Sequence, residues 1–274
     1  MELEIKERVA IVSGGSKGIG FATAEALLAA GAKVAITARN AEQLEAARLR
    51  LDPQGGGRVI AVAADMTEEA QVASVVEATV EAFGPVGIAV SNVVGHVIDA
   101  KEAGPHAGFF EDVPPEGYRL EFKQLLLSAW HLARLVIPGM KAQGWGRIAN
   151  VGSTVARESR WELPHILPNV VRPAVAALYR GLAADLAPFG VTVNNILTGS
   201  IATERNRAYF TWLAAERGVD RDAMLREMYA AGPIQRPGKP EEMAALIAFL
   251  CSERGRHISG QSIPVTGGRS RHIY

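Results

Sequence analysis

Short runs rich in β-branched residues alternate with longer stretches of helical period along this chain, and that alternation restricts the fold more than any other feature. "RVAIVSG", "KVAITAR", "RVIAVAAD" and "GIAVSNVV" are separated by "IGFATAEALLAAG", "AEQLEAARLRL" and "EEAQVASVVEATVEAFG". The short runs are almost wholly apolar, as strands must be when both faces of a sheet are covered; a half-exposed strand would alternate apolar with polar residues. The spacing therefore predicts βαβ units and a parallel sheet with helices on both faces. The second half continues the pattern with a helix near 116–142, "GRIANVGS", a helix near 173–187, "VTVNNIL", a helical excursion over 203–231, a helix over 240–251 and "SIPVTGG". A doubly wound α/β sheet of seven strands follows. No repeat or low-complexity linker interrupts the 274 residues, so one domain over 1–274 is expected.

Charge and composition narrow the partners. Lysine plus arginine (29) equals aspartate plus glutamate (29), which argues against a nucleic-acid or anionic-membrane surface and for a small-molecule substrate or further copies of the chain. No apolar stretch reaches the roughly 18 residues that span a bilayer. The start "MELEIKERVAIVSGG" mixes charges and then becomes a strand rather than a signal peptide, so a soluble, cytoplasmic protein is the expectation. The single cysteine, Cys251, falls in the apolar helical pattern "AALIAFLCSERG" and reads as a core thiol.

The first strand runs directly into "SGGSKGIG" and then a helix. Gly14, Gly18 and Gly20 let the backbone turn tightly and approach a diphosphate, whose charge free amides at a helix N-terminus stabilise. Set inside a βαβ unit, the motif points to a dinucleotide. At the end of the second strand Ala38 stands where an NAD site places an acid. Arg39 follows, suited to a 2′-phosphate, so NADP is the expected cofactor. Asp65 after "VIAVAA" is placed to meet an adenine edge, although strand ends also carry aspartate for turns.

With these motifs in view the whole chain resembles the short-chain dehydrogenase/reductase family, closest to a ketoacyl-reductase-like subgroup with imperfect catalytic residues. The resemblance rests on "SGGSKGIG", "ADM", "SNVVG", "NVGS", "ILTGSIATER" and the tail "PGKPEEMAALIAFLCSERGRHISGQSIPVTGG". It implies a Rossmann-type fold and a cofactor site of Gly14, Ser16, Gly18, Ile19, Gly20, Arg39, Asp65, Asn92 and Thr203. It also implies a helical lid over about 201–236 and a homotetramer or homodimer.

The resemblance also implies four catalytic positions: an asparagine, a serine after strand five, and Tyr-x-x-x-Lys on the next helix. Family spacing puts the lysine at Arg172, the tyrosine at Pro168 and the asparagine at Leu125. Only Ser153 stands as the family has it, and Asn-Asn-Ala-Gly has become Ser91-Asn92-Val93-Val94. Arg172 keeps a positive charge, but a guanidinium is a poor proton relay. Replacement acids are sought in His165, three residues before the vacant position, then in His96, with Glu158 and Arg160 also nearby; His106 lies in an unanchored loop. Pro164, Pro168 and Pro173 predict that the helix starts late, near Val170 to Pro173. Tyr209, Phe210, Trp212, Met224 and Met228 in the lid can line an apolar pocket or serve packing alone.

The expected activity is an NADP-dependent oxidoreductase acting on a carbonyl or alcohol, with Ser153, Arg172 and His165 as candidate catalytic residues. A non-redox enzyme on the same scaffold (hydratase, lyase or ring-opening hydrolase) and a catalytically silent subunit stay open.

Overall fold

The structure, a computed structural model, describes residues 2–93, 109–159, 166–230 and 232–271. Seven strands form one sheet: β1 (Val9–Ser13), β2 (Lys33–Ala38), β3 (Val59–Ala63), β4 (Val86–Ser91), β5 (Gly146–Ser153), β6 (Val191–Thr198) and β7 (Ser262–Val265). Their order is β3-β2-β1-β4-β5-β6-β7 and every pairing is parallel. The order reverses between β1 and β4, and the crevice at the carboxyl ends of such strands is where open α/β sheets bind ligands.

Both faces of the sheet are covered, as the apolar runs require. On one face Ala10, Val12, Val34, Ile36, Ile88 and Val90 pack with Leu27 of α1 (Gly18–Ala29), Leu44 of α2 (Ala41–Leu51), and Met243 and Ile247 of α9 (Pro240–Leu250). On the other, Ile11, Ala35 and Ala89 meet Val72 and Val75 of α3 (Glu69–Phe83), Leu132 and Val136 of α5 (Ser128–Gln143), and Val175 and Tyr179 of α6 (Ile166–Leu186). Neighbouring strand residues divide between the two clusters because side chains alternate across a strand. Cys251 is buried, and burial pushes its thiol up to about 12, as a core position requires.

The late start expected for α6 is wrong. The helix runs from Ile166, with Pro168 in its first turn and Pro173 inside it. Leu167, Val171 and Val175 explain the difference: at four-residue spacing they form one stripe, and each is at most 2% exposed. Burying Leu167 and Val171 contributes roughly 1.5–3 kcal/mol each, which together offset the roughly 3 kcal/mol an interior proline costs. Pro168 costs little, since the first turn has no partner for its missing N–H.

The helix expected near 116–142 is present but irregular. It consists of α4 (Pro115–Phe122), a π-helical turn over Lys123–Leu127, and α5. The expected excursion after β6 resolves into α7 (Glu204–Glu216) and α8 (Arg221–Ala230). No described helix is long and apolar enough to cross a membrane.

Candidate active site

The glycine loop lies at the switch point. Gly14 (φ 61°) and Gly18 (φ 57°) occupy left-handed backbone conformations. A Cβ on Gly14 would strike the Asn92 carbonyl, and one on Gly20 would strike the carbonyl of Gly14. These glycines therefore serve packing of the loop on itself and on the end of β4. Asn92 seals the joint: its N–H donates to Ser13 Oγ (2.8 Å) and its Nδ2 to the Gly14 carbonyl (3.3 Å). The α1 amides receive no side-chain cap from Lys17, and the first turn contains no acid. Uncapped amides beside glycines form a place for a diphosphate. Ser16 and Ile19, half-buried, complete the loop.

Other predicted residues surround this crevice. Arg39 is exposed just past β2, and among the described residues no carboxylate lies within ion-pair distance of it. Half-buried Asp65 accepts from Thr67 N–H (2.9 Å), so it closes a turn whatever else it contacts. Thr203 caps α7 by accepting from Asn206 N–H (3.1 Å), and its methyl stands 3.3 Å from where a Gly18 Cβ would lie. The start of α7 thus sits against the glycine loop. Ser200, just past β6, shares a 2.8 Å hydrogen bond with the Tyr229 hydroxyl, tying α8 to the segment that follows β6. Tyr209 stacks near Phe210 and Trp212, with centroids 5.3 and 5.9 Å apart, while Met224 and Met228 are half-buried.

The side that carries the candidate catalytic residues differs from the glycine loop in content. Ser153 ends β5, half-buried, and its Oγ accepts from Val155 N–H at 3.4 Å. Among the described residues its hydroxyl donates no hydrogen bond. Arg172 reaches back to β5, its Nη1 donating to the Val151 carbonyl at 3.3 Å, and burial lowers its pKa. Leu125 is 3% exposed within the π turn and belongs to the core cluster that holds Ala129, Leu132 and Val171. Tyr179 does not substitute for a tyrosine at 168. It is 2% exposed, burial raises its hydroxyl above the usual range, and the hydroxyl bonds to Ser91. Glu158 is half-buried. His165, His96, His106 and Arg160 lie outside the described residues.

Sequence reading missed two charged residues. Glu121 of α4 is 1% exposed, and half-buried Arg205 lies in the first turn of α7. Both interact electrostatically with Arg172. Nothing in "GYRLEFKQ" or "TERNRAY" sets these residues apart from ordinary helix-surface charges.

A family model described as enoyl-(acyl carrier protein) reductase matches residues 14–270. The uncharacterized oxidoreductase YvrD of Bacillus subtilis is 30% identical over the full length of both chains. The chain is a short-chain dehydrogenase/reductase. Among solved structures of this oxidoreductase family, L-sorbose reductase from Gluconobacter frateurii, complexed with NADPH and L-sorbose, superposes with a TM-score of 0.89 at 30% identity over all of both chains. An NADPH-bound short chain oxidoreductase from Pseudomonas aeruginosa PAO1 that contains an atypical catalytic center is 33% identical over 98% of this chain and 99% of the other, with a TM-score of 0.84.

Proposed function

We propose that the protein is an NADP-dependent oxidoreductase that interconverts a carbonyl and an alcohol, working as one domain with residues 201–236 as its lid. The observation that carries the reading is the glycine loop, whose uncapped α1 amides face the same crevice as Ser153. Both similar structures named above that hold a cofactor hold NADPH. The bound cofactor would supply or accept the hydride. Gly14, Ser16, Gly18, Ile19 and Gly20 hold the diphosphate, Arg39 the 2′-phosphate, Asp65 the adenine, and Asn92 with Thr203 the nicotinamide side.

Ser153 hydrogen-bonds the substrate oxygen through its hydroxyl, and Arg172 holds a ribose hydroxyl while placing positive charge beside that oxygen. His165 is the proposed proton donor. With Pro168 in the tyrosine position, unactivated ketones should turn over slowly, because loss of a positioned acid costs about 10² to 10⁴ in rate. The apolar surface lined by Leu126, Leu127 and Trp130 with Ala174, Ala177 and Leu178 would suit a second copy, giving a homotetramer or homodimer.

The test is absorbance at the nicotinamide band with a carbonyl panel, paired with thermal-shift titrations of NADP and NAD. Ser153→Ala should lower kcat/KM by about a hundredfold, or about 3 kcal/mol; unaltered turnover would place the chemistry elsewhere. Tight cofactor binding without any hydride transfer would favour a non-redox enzyme or a silent subunit, a reading the proline at 168 already supports.

A further inference from the structure

Ser153 has a neighbour in the sheet that the proposed chemistry leaves unused. Its register partner on β6 is Thr198, the last residue of that strand. Adjacent strands lie about 4.8 Å apart, and register partners of a parallel pair project to the same face. The pair two residues earlier identifies that face, because Val151 and Ile196 both pack into the core cluster with Leu27, Met243 and Ile247. Thr198 is also held from its other side. It pairs with Val265 of β7, and the N–H of the following Gly199 donates to the Val265 carbonyl at 3.1 Å. With its main chain fixed between two strands, the Thr198 hydroxyl moves only by turning about χ1.

That hydroxyl is enclosed and has no hydrogen-bond partner among the described residues. Enclosing a hydroxyl without a partner is unfavourable, and valine would keep the β-branched outline that strands prefer without that cost. Packing alone therefore does not account for the oxygen. Its neighbour is weakly held too: Ser153 Oγ accepts the Val155 N–H at 3.4 Å, close to the limit of a hydrogen bond. A serine hydroxyl can accept twice while donating once. We propose that Thr198 is a positioning residue for Ser153: when a substrate oxygen arrives, Ser153 Oγ turns to accept the Thr198 O–H and directs its own hydrogen at that oxygen. The threonine acts through the serine and needs no contact with the substrate. Accepting one bond polarises the serine hydroxyl and strengthens the bond it donates, which counts for more in a site with Pro168 where the family spacing puts tyrosine. This deepens the oxidoreductase reading and rests on it for the reaction, though not for the pairing of the two hydroxyls.

The experiment follows NADPH oxidation by the full-length protein with cyclohexanone and acetone, and separately the binding of each ketone to the protein saturated with NADP, by calorimetry and thermal shift. Thr198→Val should lower kcat by about tenfold and leave the KM for NADPH unchanged, as loss of one hydrogen bond made in the transition state implies. Thr198→Ser should restore most of the rate. In a Ser153→Ala background Thr198→Val should have no further effect, because the threonine acts only through the serine. Thr192→Val makes the same change at the other end of β6, where an equally unpartnered hydroxyl stands in register with Arg147, and should leave kcat unaltered. Full activity in Thr198→Val, or an equal loss with and without the Ser153 hydroxyl, would overturn the pairing. Should the valine variant not fold, Thr198→Ser against Thr198→Ala decides, since only a hydroxyl separates them, and equal rates in those two would overturn it. If neither ketone is reduced, binding decides. Ketone binding weakened about tenfold by Thr198→Val and by Ser153→Ala, without additivity, would remove the oxidoreductase reading and leave the pairing standing; no saturable binding, or binding indifferent to both changes, would remove both.

Discussion

The glycine loop between β1 and α1 and the region from α4 to α6 face the same crevice, yet they are equipped in different ways. The loop works through main chain. Its shape depends on Gly14 and Gly18, which take left-handed backbone, and on close contacts of Gly14 and Gly20 with Asn92 and of Gly18 with Thr203. The opposite side is proposed to work through side chains, and there the family spacing expected from sequence puts Leu125, Pro168 and Arg172 at the asparagine, tyrosine and lysine positions. A main-chain site depends on a few residues that alone admit its geometry. A side-chain site can be refitted while the sheet beneath stays unchanged, since Leu167, Val171 and Val175 hold α6 in place whatever Pro168 and Arg172 do.

That contrast can be broken or sharpened by substitution. The largest effect is expected at Gly20→Val, where the new side chain has no space beside the Gly14 carbonyl. It should destabilise the protein by about 3 kcal/mol or abolish folding. Thermal unfolding together with NADP titration reads this, and a variant that unfolds and binds as the parent does would show that the loop is not tightly packed. Next comes Arg39→Ala, which should narrow the preference for NADP over NAD by about 1–3 kcal/mol while sparing NAD affinity. Equal affinities in the unaltered protein would remove the phosphate contact. The smallest effect is expected at Pro173→Ala on the side-chain-built half. A backbone N–H restored inside α6 should raise stability by about 1 kcal/mol, less than the full cost of an interior proline because the parent helix is already packed around it. A lower melting temperature would mean that Pro173 shapes the site rather than being tolerated by it.

Much of the architecture was legible in the chain. Unbroken apolar runs such as "VAIVS" and "VGIAV" imply strands buried on both faces, and those are β1 and β4. The start of α6 was misread because proline was weighed as a local signal, whereas burial of Leu167 and Val171 decided the matter. The π turn over Lys123–Leu127 left no mark in composition or period.

The sequence by itself determined the parallel sheet, the strand-loop-helix entrance and the absence of a Tyr-x-x-x-Lys pair, since each follows from residue type at short spacing. Only the tertiary structure decided that Glu121, Arg172 and Arg205 belong together. Their separation along the chain carries no information about distance, and an arginine or glutamate on a helix reads the same whether it faces water or another charge. Burial and electrostatic coupling arise only when α4, α6 and α7 are brought near one another by the fold.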